Sequence, residues 1–147
     1  MIPDLDENGK LPAGVYTCGL DEVENRFVYN QTRKTIFEGL LKLIVVLRSV
    51  SCGAIYLDGS FVTSKNRPGD VDVCWQEATG TNYDYEYKNA PILNPTITNR
   101  KYHKDVFKAD VFPADITEFQ SKKYFLDFFQ EDKDTGHKKG ILKIYLL

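Results

Sequence analysis

No apolar run in the chain is long enough to cross a membrane. The most apolar stretch, Leu40-Leu41-Lys42-Leu43-Ile44-Val45-Val46-Leu47, is short and holds a lysine, whereas a spanning helix needs about 20 apolar residues. The N-terminal segment MIPDLDENGKLP is acidic where a secretory leader is basic and then apolar, so no signal peptide is expected and the chain reads as cytoplasmic. Cysteine is scarce: Cys18, Cys52 and Cys74 form no C-x-x-C pair, and His103 and His137 stand in no zinc-ligand spacing. That excludes a disulfide framework and a structural zinc site, and leaves three buried or half-buried reduced thiols. His103 and His137 read as surface residues. A strong charge of one sign is also missing. The formal net charge is −2, which gives no footing for general binding to polyanions but is compatible with a local basic patch. Interdomain linkers, internal repeats and low-complexity tracts are absent as well.

What remains is the composition of an ordinary globule, 42% hydrophobic and 27% charged over 147 residues, which fits one domain with a real core. Residues 1 to about 15 carry Pro3, Gly9, Pro12 and Gly14 with few apolar anchors and read as an extended arm. Asp21-Glu22-Val23-Glu24 has a capping pattern, and Leu20, Val23, Phe27 and Val28 make a short amphipathic helix. Asn30 caps the main helix, whose apolar stripe is Ile36, Phe37, Leu40, Leu41, Ile44 and Leu47, with Arg33, Lys34 and Arg48 off the stripe. Gly39 lowers helix propensity but permits close packing. Ala54 to Leu57 is a short buried strand. Val71, Val73 and Trp75 alternate with Asp70, Asp72 and Cys74, so a second strand has one apolar face and one acidic face. Tyr83 to Tyr87 reads as an edge strand or a packed loop. A helix from Asn94-Pro95 to about Phe107 exposes Arg100, Lys101 and Lys104, and Lys108 to Phe112 is a third strand. Thr117 to Gln120 opens a helix carrying Phe125, Leu126, Phe128 and Phe129, or else Tyr124–Gln130 pairs in a hairpin with the closing strand at Gly140 to Leu147.

The chemistry concentrates in one segment. Leu57-Asp58-Gly59-Ser60 ends an apolar run, nine residues follow, and Asp70-Val71-Asp72 opens the next. Side chains alternate along a strand, so Asp70 and Asp72 point to one side. Carboxylates held so close resolve their repulsion by a shifted pKa or a bound cation. A Gly-Ser turn offers bare backbone N–H groups and a hydroxyl to an anion. Taken singly, D-x-D is a solvated strand face and Gly-Ser a turn. Together, a cation site beside an anion site suits a metal–phosphate complex.

This spacing resembles the signature of the nucleotidyltransferase superfamily, the DNA polymerase β-like fold. The resemblance implies an α+β domain, a short mixed sheet with helices mainly on one face. In it Gly59 and Ser60 hold the phosphates of a nucleoside triphosphate, and Asp70 and Asp72 bind divalent metal. It also asks for a third carboxylate from a later strand, and Asp110 is the residue so placed. Over nearly its full length the chain resembles small bacterial nucleotidyltransferase-like proteins, through MIPDLDENGKLPAG, the segment Leu57 to Thr63, Phe112-Pro113-Ala114 and Lys139-Gly140-Ile141. It is also similar to the minimal nucleotidyltransferases of toxin–antitoxin pairs, which modify a partner protein. Two positions depart from the pattern: Phe61 stands where many members have Arg, and Gly69 where many have Ser. The phosphate-facing cation would then come from Lys65, Arg67, Lys104 or Arg100.

The expectation is therefore a Mg²⁺- or Mn²⁺-dependent transfer of a nucleoside monophosphate from an NTP to a hydroxyl on a protein or a nucleic acid such as RNA, with Asp70, Asp72 and Asp110 as catalytic metal ligands and Gly59, Ser60, Lys65 and Lys104 on the nucleotide. A toxin–antitoxin or phage-defence setting follows by analogy. The alternative is a catalytically silent member that binds a nucleotide or a protein partner and regulates it.

Overall fold

The computed structural model describes residues 1–77, 83–94, 99–114, 121–132 and 135–146. The elements follow in the order β1 (Gly14–Thr17), α1 (Leu20–Phe27), α2 (Gln31–Ser49), β2 (Ala54–Asp58), β3 (Val71–Gln76), α3 (Asp84–Asn89), α4 (Arg100–Phe107), β4 (Ala109–Pro113), α5 (Phe125–Phe128) and β5 (Gly140–Tyr145). The strands form one mixed sheet in the order β1-β5-β2-β3-β4. The β2–β3 and β2–β5 pairs are antiparallel, and the β1–β5 and β3–β4 pairs are parallel. This is the expected α+β class with a mixed sheet. No described helix is long and apolar enough to cross a membrane.

Period-two alternation divides the sheet into two unlike faces. Ile55, Leu57, Val71, Val73, Trp75 and Val111 join the main core with the buried stripe of α2 (Ile36, Phe37, Leu40, Leu43, Ile44 and Leu47) and with Val23 and Phe27 of α1. The other face carries Tyr56, Cys74 and Phe112, adjacent across three strands, and is covered at that point by Phe125 and Phe129. Phe112 stacks on Phe125 at a centroid distance of 4.5 Å. One step further along the same face, two residues away in each strand, lie Asp58, Asp72 and Asp110.

Asn30 caps α2 as expected, its side chain accepting from the Arg33 backbone N–H at 2.9 Å. At the start of α1, the Glu22 carboxylate accepts from the Gly19 N–H at 3.2 Å, so Gly19 rather than Asp21 is the cap and half of a capping box is made. Gly39 is where α2 meets the end of α4: a Cβ there would lie 2.2 Å from the Phe107 carbonyl oxygen. Gly39→Ala gains helix propensity, but backbone on the far side cannot yield. The variant should lose about 1–3 kcal/mol in urea unfolding, where propensity alone would make it more stable.

Several expectations need correction. The N-terminal arm is anchored more firmly than its few apolar residues suggest. Ile2 and Leu11 are buried, β1 pairs with β5, and the Gly140 N–H donates to the Leu11 carbonyl at 3.1 Å. Arg33 is not on the solvent side of α2; it is fully buried. His103 is buried too, its Nε2 2.6 Å from the Ile92 carbonyl oxygen, because it shares a face of α4 with Phe107 one turn on. His137 is exposed, as expected. Residues 84–89 form a helix rather than an edge strand or loop, with Tyr83 and Tyr87 stacked on each other and set edge-on to Trp75. The helix before β4 starts at Arg100, where the Asn99 side chain accepts from the Tyr102 N–H at 2.9 Å. The expected start at Pro95 and the capping box at 117–120 lie outside the described residues.

All three thiols are free and buried. Burial pushes Cys18 and Cys52 up to about 11 and Cys74 well above its ordinary value. A thiol-specific reagent at about pH 8 should leave the native protein unlabelled over minutes and modify all the thiols after denaturation.

Candidate active site

Sheet register brings the acidic residues together. Asp58 is opposite Asp72 in the antiparallel pair, and Asp72 is opposite Asp110 in the parallel pair. Directly opposed residues share a face, so three carboxylates from three strands form one row. Asp70, in the loop just before β3, adds a fourth. Oxygen atoms of Asp70, Asp72 and Asp110 all lie within 4.8 Å of one another, so the three residues singled out from sequence converge. Asp58 is not among those three, and only the strand pairing reveals it.

The turn after β2 faces this row. Gly59 has φ +84°, and a Cβ on it would lie 2.8 Å from Asp72 Oδ2. Both the left-handed backbone and the closeness of the carboxylate therefore require glycine. Ser60–Val62 is a single 3-10 turn, closed by Val62 N–H to Gly59 O at 3.2 Å and Thr63 N–H to Ser60 O at 3.2 Å. The N–H groups of Ser60 and Phe61, at its start, have no acceptor within the turn.

Arg33 builds this turn from beneath. Its guanidinium donates to Phe61 O at 2.6 Å, Thr63 O at 2.7 Å, Phe27 O at 3.1 Å, Ser60 O at 3.4 Å and also to Lys65 O. The carbonyls of the loop are thus drawn inward around one cation. Phe61, at the position where many nucleotidyltransferases have arginine, is fully buried, with the Arg33 guanidinium carbon 5.4 Å from its ring centroid. At Gly69, the other departure, a Cβ would meet nothing within 4 Å, so space does not require glycine there.

Carboxylates and turn line one cleft of about 730 Å³, in the range of small-molecule sites. Of the cations considered for the phosphates, Lys65, Lys104 and Arg100 line it and Arg67 does not. The Asn8–Leu11 segment forms another wall, fixed by Ser64 N–H to Gly9 O at 2.9 Å. Lys10, Asp132 and Lys139 complete the lining. Lys10 pairs with Asp132, and Lys139 Nζ lies 3.0 Å from Asp58 Oδ2. Lys10 and Lys139 fall in segments that carry the resemblance, but nothing local places them or Asp132 at a cleft: the β1–β5 and β2–β5 pairings do that.

Charge in the cleft is tightly balanced. Arg100 grips Asp110 with two parallel bonds, Nε to Oδ1 at 2.9 Å and a terminal nitrogen to Oδ2 at 2.6 Å. Lys104 Nζ stands 3.3 Å from Asp70 Oδ2 and 3.5 Å from Asp110 Oδ2. Asp110 accordingly raises the pKa of both cations. Asp72 has no such clamp. Burial first, then the charges of Asp70, Asp58 and Asp110, push its carboxyl up to about 7, with Lys139 acting in the opposite sense.

A family model matches residues 3–145. The chain belongs to DUF6932, a family of unknown function. The match spans every cleft residue from Asn8 to Gly140, so in this DUF6932 chain the site and the fold that holds it fall within the family's own extent. No curated protein and no solved structure matches the chain. As a metal centre the donor set is all oxygen, without thiolate or imidazole, and such a set suits Mg²⁺ or Mn²⁺.

Proposed function

We propose that this DUF6932 chain is a metal-dependent nucleotidyltransferase built on a polymerase β-like core. The carrying observation is the meeting of Asp70, Asp72 and Asp110 within 4.8 Å, across a single cleft from the Gly59-Ser60 turn. The order of parts also supports the reading. The turn follows the first strand of the antiparallel β2–β3 pair, Asp70 just precedes the second strand and Asp72 lies in it, and Asp110 comes from a strand parallel to it.

Nucleotidyl transfer forms a bond between the acceptor hydroxyl oxygen and the α-phosphorus and breaks the α–β bridging bond, releasing pyrophosphate. Asp70, Asp72 and Asp110 would hold the divalent ions, which when bound neutralise charge on the attacking and leaving oxygens. Ser60 and the N–H groups at the start of the turn would receive the β- and γ-phosphates. Lys65 and Lys104, on the cleft wall, would balance the remaining charge. Asp110 would take the acceptor's proton. The acceptor is a hydroxyl of a protein or an RNA.

A second reading has one observation in its favour: Arg100 and Lys104 already neutralise Asp110 and Asp70, as in a silent member that binds nucleotide without turning it over. Incubation with Mg²⁺ or Mn²⁺, each α-labelled NTP, and RNA or total protein separates the two. Transfer of label that is lost in Asp70→Asn and Asp110→Asn supports the enzyme. Thermal stabilisation by nucleotide with no transfer supports the binder.

A further inference from the structure

Arg100 is the first residue of α4. Its side chain is 68% exposed while that of Asp110 beneath it is only 6% exposed. Both Asp110 oxygens are taken by one guanidinium. A divalent ion held by Asp110 has to use an oxygen that the guanidinium already occupies, and two cations drawn to one buried carboxylate repel each other. Metal and Arg100 therefore compete for Asp110. Once displaced, Arg100 keeps its place on the wall of the same cleft, where the flexible stem leaves its planar fork free for phosphate oxygens. Lys104, one turn along the same helix face, is held at longer range and bridges two carboxylates, so it can shift without leaving the cluster.

We propose that Arg100 is an exchangeable gate: it closes the carboxylate cluster when no metal is present, and on metal entry it moves from Asp110 to the triphosphate. This rests on the nucleotidyltransferase reading and adds an order of events, cation before productive nucleotide. It also makes the ion pair that favours a silent protein into the resting state of an active one. The predicted signature is opposite shifts in two affinities from one substitution. A merely structural ion pair would not give it, because its loss would loosen the site toward both ligands.

The test measures Mn²⁺ binding alone by calorimetry, and binding of a non-hydrolysable nucleoside triphosphate at saturating Mn²⁺, in the wild type, Arg100→Gln and Arg100→Lys. Lys101→Ala serves as a control that removes an exposed charge from the same helix. Arg100→Gln should bind Mn²⁺ about tenfold more tightly and the triphosphate about tenfold more weakly, the scale of a charge-assisted hydrogen bond. Arg100→Lys keeps the charge but loses the fork, and should move both affinities in the same senses by smaller factors. Equal Mn²⁺ affinity in wild type and Arg100→Gln overturns the gate while leaving the enzyme reading intact. Tighter Mn²⁺ binding in Arg100→Gln alone, with triphosphate affinity unchanged, reduces Arg100 to a nearby positive charge and also overturns it. Failure of every variant to take up Mn²⁺ at millimolar concentration removes the metal site itself, and the gate with it.

Discussion

Arg33→Met should destabilise the domain by at least about 3 kcal/mol, a large share of the roughly 5–15 kcal/mol that holds an ordinary domain folded. The side chain is fully buried, and it satisfies carbonyls of Phe61, Thr63 and Lys65 in the loop and Phe27 at the end of α1. Methionine fills much of the same space and removes the cost of burying a charge, the same cost that lowers the arginine's own pKa. It leaves the carbonyls unpaired, however, and each buried orphan costs about 1–3 kcal/mol. The orphans outweigh the relief because there are several of them and they are held by one group. Arg33→Lys should fall between, since an ammonium has three donors and no fork. Urea unfolding checks this; a loss under about 1 kcal/mol for Arg33→Met, less than a single orphaned group should cost, would show that the loop does not depend on the guanidinium.

Asp72→Asn should have the opposite effect on stability and a severe effect on chemistry. If the chain is the enzyme proposed above, loss of this carboxylate reduces label transfer by at least about a hundredfold. The metal-free variant should nevertheless be more stable at neutral pH, because repulsion from Asp70, Asp58 and Asp110 is relieved. The sign with pH follows from proton counting. The carboxyl rises from its ordinary value of 3.8 to about 7 on folding, so between those values the folded chain holds the extra proton. Stability of the metal-free wild type is thus fully present below the lower value and falls as pH rises through about 7, by on the order of a few kcal/mol. Thermal unfolding in chelator from about pH 4 to about pH 8 should show that decline in the wild type and a flatter curve in Asp72→Asn. Parallel curves would mean that Asp72 is ionised throughout.

How far the sequence leads depends on the range of the interaction that carries each feature. Period-two alternation around Val71, Val73 and Trp75 exposed the acidic face of β3, and helical spacing found the stripe of α2, because both are local. Strand alternation placed Asp70 and Asp72 on one side, while Asp110 entered only through what the family resemblance implies, and the parallel β3–β4 pair brings it alongside them. Asp58 sat in full view beside Gly59 but acquires meaning only from the β2–β3 register. Arg33 looked like a solvated residue because its partners are carbonyls as far as 32 residues away, and carbonyls leave no mark on a sequence. Lys10 and Lys139 stood inside segments that carry the resemblance, but their place in the cleft, like that of Asp132, depends on pairing between strands far apart in sequence. The aromatic run at Tyr83 to Tyr87 misled: it suggested an edge strand or a packed loop, whereas the helix stacks Tyr83 on Tyr87 and sets both edge-on to Trp75.

The position of β5 bears on how the molecule comes into being. β5 is inserted between β1 and β2, so a ribosome that has delivered everything before Gly140 holds a chain in which β1 and β2 still lack the strand that joins them. Until β5 emerges, Lys10 has no frame on which to meet Asp132. The cleft is therefore completed only once β5 is made, after an interval when open strand edges invite association with other chains.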